Sequence, residues 1–193
     1  EIISREELIE LFSIERIHIA GGKFNEEKLL WTNREYVKRL PDAIIVSEIQ
    51  KALPNISSDF AHKMLQTVRE HIGILGEIPA LVSSTGALGF FFETPTIDPK
   101  SLSWKGAQTN DEIKKHLEAV LGLIQNATDF SSPEKVKEAL WGYADANGRG
   151  KVLWPLRVSL SGKDKSPDPF ALISILGKEE SIQRIQNALK TLV

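Results

Sequence analysis

The sequence predicts an all-α fold, a bundle of helices. Three observations point to it. Helix-start signals recur along the whole chain, and apolar residues return at three-to-four spacing after each of them. Only one short segment alternates with period two, and it has no partner strand of matching quality.

The elements follow in order. Ser4-Arg5-Glu6-Glu7 has capping-box spacing and opens a helix running to about Phe12. Gly21-Gly22 breaks the chain. Asn25 caps a second helix whose inward positions are Leu29/Leu30, Asn33, Tyr36/Val37 and Leu40, and Pro41 ends it. From Asp42 to Leu53, Ile45, Ile49 and Leu53 repeat every four residues until Pro54-Asn55. Ser58 caps a helix carrying Phe60, Met64, Val68 and Ile72; Gly73 and Gly76 weaken it, and Pro79 is positioned to restart it. Thr94-Pro95-Thr96-Ile97-Asp98-Pro99 is too proline-rich for regular structure and is the candidate internal boundary loop.

Thr109-Asn110-Asp111-Glu112 is a second capping-box pattern, followed by Ile113, Leu117, Val120/Leu121 and Ile124. Ser132-Pro133 gives an N-cap with proline at the first helical position. Val136, Leu140 and Tyr143 share one face of that helix, and Gly148 stops it. Val120, Leu121, Ile124, Val136 and Leu140 are the expected core where these two helices pack. Leu156-Arg157-Val158-Ser159-Leu160 is the alternating segment, readable as a strand or a short helix. Ile182, Ile185, Leu189 and Leu192 mark a last amphipathic helix.

The chain has 193 residues, 41% hydrophobic and 26% charged, an ordinary globular composition. With no cysteine, disulfide scaffolds, thiolate metal sites and thiol nucleophiles are excluded. The start, Glu1 to Glu7, is charged and has no signal-peptide pattern, and no apolar run reaches the roughly 18–20 residues of a membrane span. The missing initiator methionine suggests a piece of a longer protein.

Tests for catalytic motifs mostly fail. Gly148-Arg149-Gly150 opens like a dinucleotide fingerprint, but Leu153 stands at the third glycine position. Glycine-lysine pairs begin at Gly22, Gly150, Gly162 and Gly177, and none is followed by Ser or Thr as a P-loop requires. Asp145, Asn147 and Gly150 sit at calcium-loop offsets, but Leu156 replaces the bidentate acid. His18, His62, His71 and His116 have no metal-ligand spacing. The acid pairs Glu6-Glu7, Glu26-Glu27 and Glu179-Glu180 fall at helix starts, where they complement the macrodipole. No catalytic residue and no metal site is expected.

What remains is a basic segment in a chain of net charge −2. From Gly148 to Ser166 it carries Arg149, Lys151, Arg157, Lys163 and Lys165 against Asp164 alone. Trp154-Pro155-Leu156-Arg157 puts a guanidinium beside a large ring, and Ser161 to Ser166 reads as a flexible charged loop. Arginine, aromatic rings and exposed backbone are the means by which proteins read unstacked RNA bases. The alternative is a helical scaffold or protein-interaction domain in which Arg157 and the tryptophans are structural.

Several separated stretches resemble one family. Phe12 to Ile17, Phe24 to Tyr36, Phe90-Phe91-Phe92-Glu93, Pro155 to Gly162 and Phe170 to Glu179 look, in this order, like the part of bacterial class I glutamyl-tRNA synthetases that follows the catalytic half. The HIGH-like and KMSKS-like motifs of that catalytic half are absent. The resemblance implies a glutamate–tRNA ligase whose ATP and Mg2+ are handled elsewhere, with no cofactor in this chain. It implies a cytoplasmic monomer that binds tRNA(Glu), and neither DNA nor membrane. It also implies a stem-contact segment at 1–40 and two helical anticodon-binding subdomains at 41–84 and 85–193. Pro155 to Leu160 is then a short helix.

Family roles fall on particular residues. Arg157 matches the anticodon-contacting arginine of Pro-Leu-Arg. Ser166 and Pro169 fall on the loop lining the first anticodon base. His71, with Arg69 two residues before it, falls on the position reading the third base, where enzymes restricted to glutamate tRNA commonly have arginine. Lys151, Lys163 and Lys165 are the expected phosphate contacts.

Overall fold

Backbone donors at helix starts need side-chain partners. In the computed structural model, which describes residues 2–17 and 21–192, they find them largely where the sequence offers them. Ser4 and Glu7 close a capping box on α1 (Arg5–Leu11), and Asn25 caps α2 (Glu26–Arg39). α3 (Asp42–Ala52) follows Pro41 directly. α4 (Ser58–His71) is capped by Ser57, not Ser58: the Ser57 hydroxyl accepts from Phe60 N at 3.1 Å, and Ser58 is already helical. After the short α5 (Ile78–Val82), the chain runs through 3-10 turns to α6 (Asn110–Asn126), α7 (Pro133–Asn147), α8 (Arg149–Ser161) and α9 (Pro169–Lys190). Among the described residues there is no strand, and no helix is long and apolar enough to cross a membrane. His18 lies outside the described residues.

The chain divides into two compact units, Glu1–Pro79 and Ala80–Val193. In the first, α3 packs on α4, with Ile45, Val46 and Ile49 from one helix and Ala61, Met64 and Val68 from the other buried. Arg69 closes the open end of this pair. Its Nη2 donates to Leu40 O at 2.9 Å and to Asp42 Oδ1 at 2.7 Å, just where α3 begins.

In the second unit α8 is the central rod. It packs against α6, α7 and α9 and against the turns Pro99–Leu102 and Trp104–Gly106. Val152, Pro155, Leu156, Val158, Ser159, Leu160 and Ser161 are buried, so α8 shows no polar stripe, and its alternating stretch is helical. Ser159 and Ser161 satisfy their hydroxyls within the helix, on Leu156 O and Arg157 O. Pro155 has no N–H for the carbonyl four residues back. That carbonyl, Lys151 O, accepts instead from Gln108 Nε2 at 3.0 Å, and Gln108 Oε1 accepts from Trp104 N. Gly150 leaves room for the Trp104 ring, which a Cβ there would strike. α8 ends at Gly162, in the left-handed region at φ 66°, with Pro95 so close that a Cβ would meet it at 2.7 Å. The proline-rich segment 94–98 is irregular and lies inside the second unit.

The inward stripe of α6 is Ile113, Leu117, Val120 and Ile124, all buried. Leu121 is half-buried, contrary to expectation. It lies one residue, about 100°, round the helix from Val120 and sits on the shoulder of the stripe. In α9, Gly177 (φ 81°) breaks the helix, so Glu179 and Glu180 do open a helical segment. The inward residues of that segment are Ser181, Arg184, Ile185, Ala188 and, just beyond it, Leu192. Ile182 and Leu189 are half-buried beside them.

Arg184, 2% exposed, occupies the point where α9, the end of α8 and the turn after Gly89 meet. Its Nη1 donates to Phe90 O and to Leu160 O, both at 2.7 Å. Its Nη2 lies 3.5 Å from Glu93 O, and its Nε donates to Glu180 Oε1 at 2.6 Å. Arg184→Met is expected to cost roughly 3–5 kcal/mol, because buried carbonyls lose their donors. Glu180→Gln should cost below about 1 kcal/mol, since that carboxylate is 40% exposed. Urea unfolding of both variants checks the difference.

His116 is buried on α6 with its Nδ1 3.0 Å from the Tyr143 hydroxyl. Burial, then the nearby Lys115, hold its imidazole below the ordinary histidine value. The unfolded chain therefore takes up this proton first. Above about pH 6.5 the group is neutral in both states and has no effect; below it, stability falls until the folded-state pKa is passed. His116→Gln should narrow the gap between melting temperatures at pH 7.5 and pH 5. An unchanged gap would assign the titration to another group.

Candidate nucleic-acid interface

The basic segment 148–166 is one run in sequence and several separate places in space. Arg149 lies 4.6 Å over the Trp141 ring and pairs with Asp145 at 2.7 Å. Lys151 is exposed on the first turns of α8. Arg157 lies one turn after Trp154, with its guanidinium 4.8 Å from the ring centroid. Trp154 is itself fixed: its Nε1 donates to Ser101 O at 2.9 Å. Arg157 has no ion pair among the described residues, and its buried Nε has no hydrogen-bond partner there. The carboxylate partner that a purely structural arginine calls for is not at this position.

The loop after α8 is internally bonded rather than loose. The buried Ser161 hydroxyl accepts from Lys163 N at 3.2 Å and lies 3.1 Å from the Ser166 hydroxyl. Asp168 caps α9 through Phe170 N and Ala171 N. Ser166 is half-buried with its hydroxyl turned inward, and Pro169 is buried as the first residue of α9. Lys163 is tethered: its Nζ donates to Gly86 O at 3.0 Å and reaches Ala87 O at 3.4 Å, and it sits 5.7 Å over the Phe90 ring. Lys165 is exposed and carries no ion pair among the described residues.

Beside Trp154 lies an open groove of about 590 Å3, lined by Ser101, Ser103, Trp104, Lys105, Trp154, Gly162, Lys163 and Asp164. It joins flat rings to cations and backbone, a combination suited to stacking a planar group and neutralising an anion. Sequence reasoning missed Trp104 and Lys105. They reach the groove only because Trp104 rests on Gly150, 46 residues away, and no periodicity reports such a contact.

In the first unit, His71 is exposed at the last turn of α4. It shares a pocket of about 440 Å3 with Arg34, Lys38, Gln66, Arg69, Glu70 and Ile72. Arg34 and Lys38, one turn apart on α2, were not singled out from the sequence. The His71 ring nitrogen Nδ1 lies 2.7 Å from Thr67 O. A carbonyl only accepts, so Nδ1 carries the proton, and Nε2 of the neutral ring is an acceptor. Arg69, already bound to Leu40 and Asp42, contributes a clamped charge to the pocket wall.

Known proteins resemble this chain over its whole length. The glutamate–tRNA ligase of Flavobacterium psychrophilum is 34% identical over 201 aligned residues, covering 100% of this chain and 38% of that protein. The ligase of Clostridium acetobutylicum is 32% identical, covering 100% and 40%. A crystal structure of a glutamate tRNA ligase from Elizabethkingia meningosepticum superposes with a TM-score of 0.82 at 31% identity, over 100% of this chain and 38% of that one. The chain thus spans under half the length of these relatives. The family pattern described as "Anticodon binding domain" matches residues 33–189, and the chain belongs to that family.

Proposed function

We propose that this chain is the tRNA-binding C-terminal portion of a glutamate–tRNA ligase, supplying recognition of tRNA(Glu) rather than chemistry. ATP, Mg2+ and glutamate then belong to the remainder of the enzyme. The observation that carries the reading is Arg157 over the Trp154 ring, its Nε without a hydrogen-bond partner among the described residues, with Trp154 lining an aromatic groove, in a chain matched end to end by ligases. A guanidinium held over an indole ring is pre-oriented: it spends little entropy to stack on a base or bond its edge.

Contacts divide by chemistry. Arg157 reads a base. Lys165 and Lys151, exposed and without an ion pair among the described residues, meet phosphate. Lys163, tied to Gly86 and Ala87, shapes the loop and lends its charge to the groove wall. Ser166 and Pro169 act through the loop's shape, being turned inward or buried. Arg157→Ala should weaken tRNA binding by about 1–3 kcal/mol with folding intact, and the loss should shrink on an anticodon-swapped tRNA. Lys165→Ala should weaken all tRNAs alike and flatten the salt slope by about 0.7. Filter binding at two salt concentrations checks both. An Arg157→Ala loss equal on both tRNAs would return Arg157 to a structural role.

His71 is the proposed reader of the third anticodon base, with Arg69 holding the helix end. With a proton on Nδ1, a neutral ring would present Nε2 as an acceptor, whereas an arginine can only donate. Cytosine, the third base for glutamate, offers two acceptors on its pairing edge; guanine, the third base for glutamine, offers two donors. His71→Arg should therefore raise the preference for glutamate over glutamine tRNA, by about 1–3 kcal/mol if the contact is bidentate. Competition binding of the two tRNAs measures it.

A further inference from the structure

The pocket beside His71 has a second wall that the reading of a base leaves unexplained. α4 supplies Gln66, Glu70 and His71, and α2 supplies Arg34 and Lys38. Both helices belong to the first unit. The stretch that matches the anticodon-binding family, 33–189, takes in both cations.

The two walls differ in chemistry. α4 ends here, and the carbonyls of a helix end carry partial negative charge. Its side chains add the His71 ring and the Glu70 carboxylate, whose Oε1 accepts from Gln66 Nε2 at 2.9 Å. That wall suits the edge of a base and repels an anion. The α2 wall is the reverse. Arg34 and Lys38 stand one turn apart, and both are exposed. Lys38 is paired with Glu35, whereas Arg34 has no ion pair among the described residues. Arg34 is nonetheless held in place. Its stem lies on the backbone of Gly73, where a Cβ would meet Arg34 Cγ and Nε at 3.3 Å. A glycine just beyond α4 thus brings an α2 guanidinium up to the end of the helix that carries His71.

A base edge on one side and a phosphate on the other is the layout of a nucleotide. The volume, about 440 Å3, is in the range of small-ligand sites, roughly 300–1,000 Å3. Base contacts read sequence, while phosphate contacts fix register and carry none. We propose that Arg34 binds a backbone phosphate flanking the third anticodon nucleotide, with Lys38 adding charge beside it. Arg34 thereby sets the register of that nucleotide against His71. The inference rests on the role proposed for His71.

Binding of the full-length ligase to tRNA(Glu) assembled from synthetic fragments tests it. In one tRNA the two phosphates flanking the third anticodon base are replaced by uncharged methylphosphonates. In another, that base is changed from cytosine to guanine. Arg34→Gln should weaken binding of the native tRNA about tenfold, flatten the salt slope by about 0.7 and leave the melting temperature unchanged. The loss should be the same on the base-changed tRNA and should vanish on the methylphosphonate tRNA. Arg34→Lys should restore the salt slope. His71→Ala should instead lose less on the base-changed tRNA. An Arg34→Gln loss that persists on the methylphosphonate tRNA overturns the proposal. So does one that shrinks with the base change, which would make Arg34 a base reader. So does one that lowers the melting temperature and is not recovered by Arg34→Lys, which would make Arg34 structural. Binding that depends on Arg157 but not on Arg34 overturns this proposal and leaves the tRNA reading standing; no binding at all overturns both. A neutral His71→Ala beside a methylphosphonate-sensitive Arg34→Gln would overturn the His71 role and leave the Arg34 contact standing.

Discussion

The second unit depends on a single buried charge. Arg184 donates to carbonyls at Phe90 and Leu160 and pairs with Glu180, so one side chain ties three stretches of chain that have no backbone hydrogen bonds in common. Such a guanidinium is worth having only if its donors are satisfied, because desolvating it costs several kcal/mol. One of the carbonyls it takes, Leu160 O, stands in the last turn of α8, where intrahelical donors run out. The same bonds set the floor of the loop that follows, and hence where Ser161, Lys163 and Ser166 lie. Arg157 on α8 and Arg184 on α9 are thus linked through the last turn of α8, where Leu160 O accepts from Arg184.

The all-helical class was legible because most helices here bury one stripe, and a stripe is a local signal. The capping boxes at Ser4 and Thr109 and the Ser132-Pro133 start are local in the same way, and each forms. α8 was ambiguous for a physical reason. A helix surrounded on most sides carries no clear polar face, so its periodicity vanishes, and Arg157 and Ser159 among apolar residues imitate a strand. Ser57 and Ser58 were interchangeable by composition, and only the direction of the hydroxyl separates them. Leu121 and Ile182 stand one position away from buried stripes, an error of about 100° that hydrophobicity alone does not resolve.

The site was legible in part. Arg157 beside Trp154 could be seen, since the two are one turn apart on the same helix. The groove could not, because its other wall comes from Ser101 to Lys105. Arg184 was invisible too: an arginine in an amphipathic pattern reads as solvent-facing unless its partners are known, and those partners are backbone carbonyls up to 94 residues away. The basic segment misled in the opposite direction. Five cations in nineteen residues suggested one patch, but Arg149 and Lys163 are engaged with the protein itself.

Pro155 has one more implication. By withdrawing an amide from the centre of α8, it makes a helical acceptor dependent on Gln108, a residue outside the helix. Gln108 in turn holds Trp104, the far wall of the groove. The two positions are therefore physically coupled. A residue bearing an N–H at position 155 would offer Lys151 O a donor within the helix and release Gln108, and with it the groove's outline. The outline of the candidate groove is in this way set by the ring of an imino acid buried beneath it.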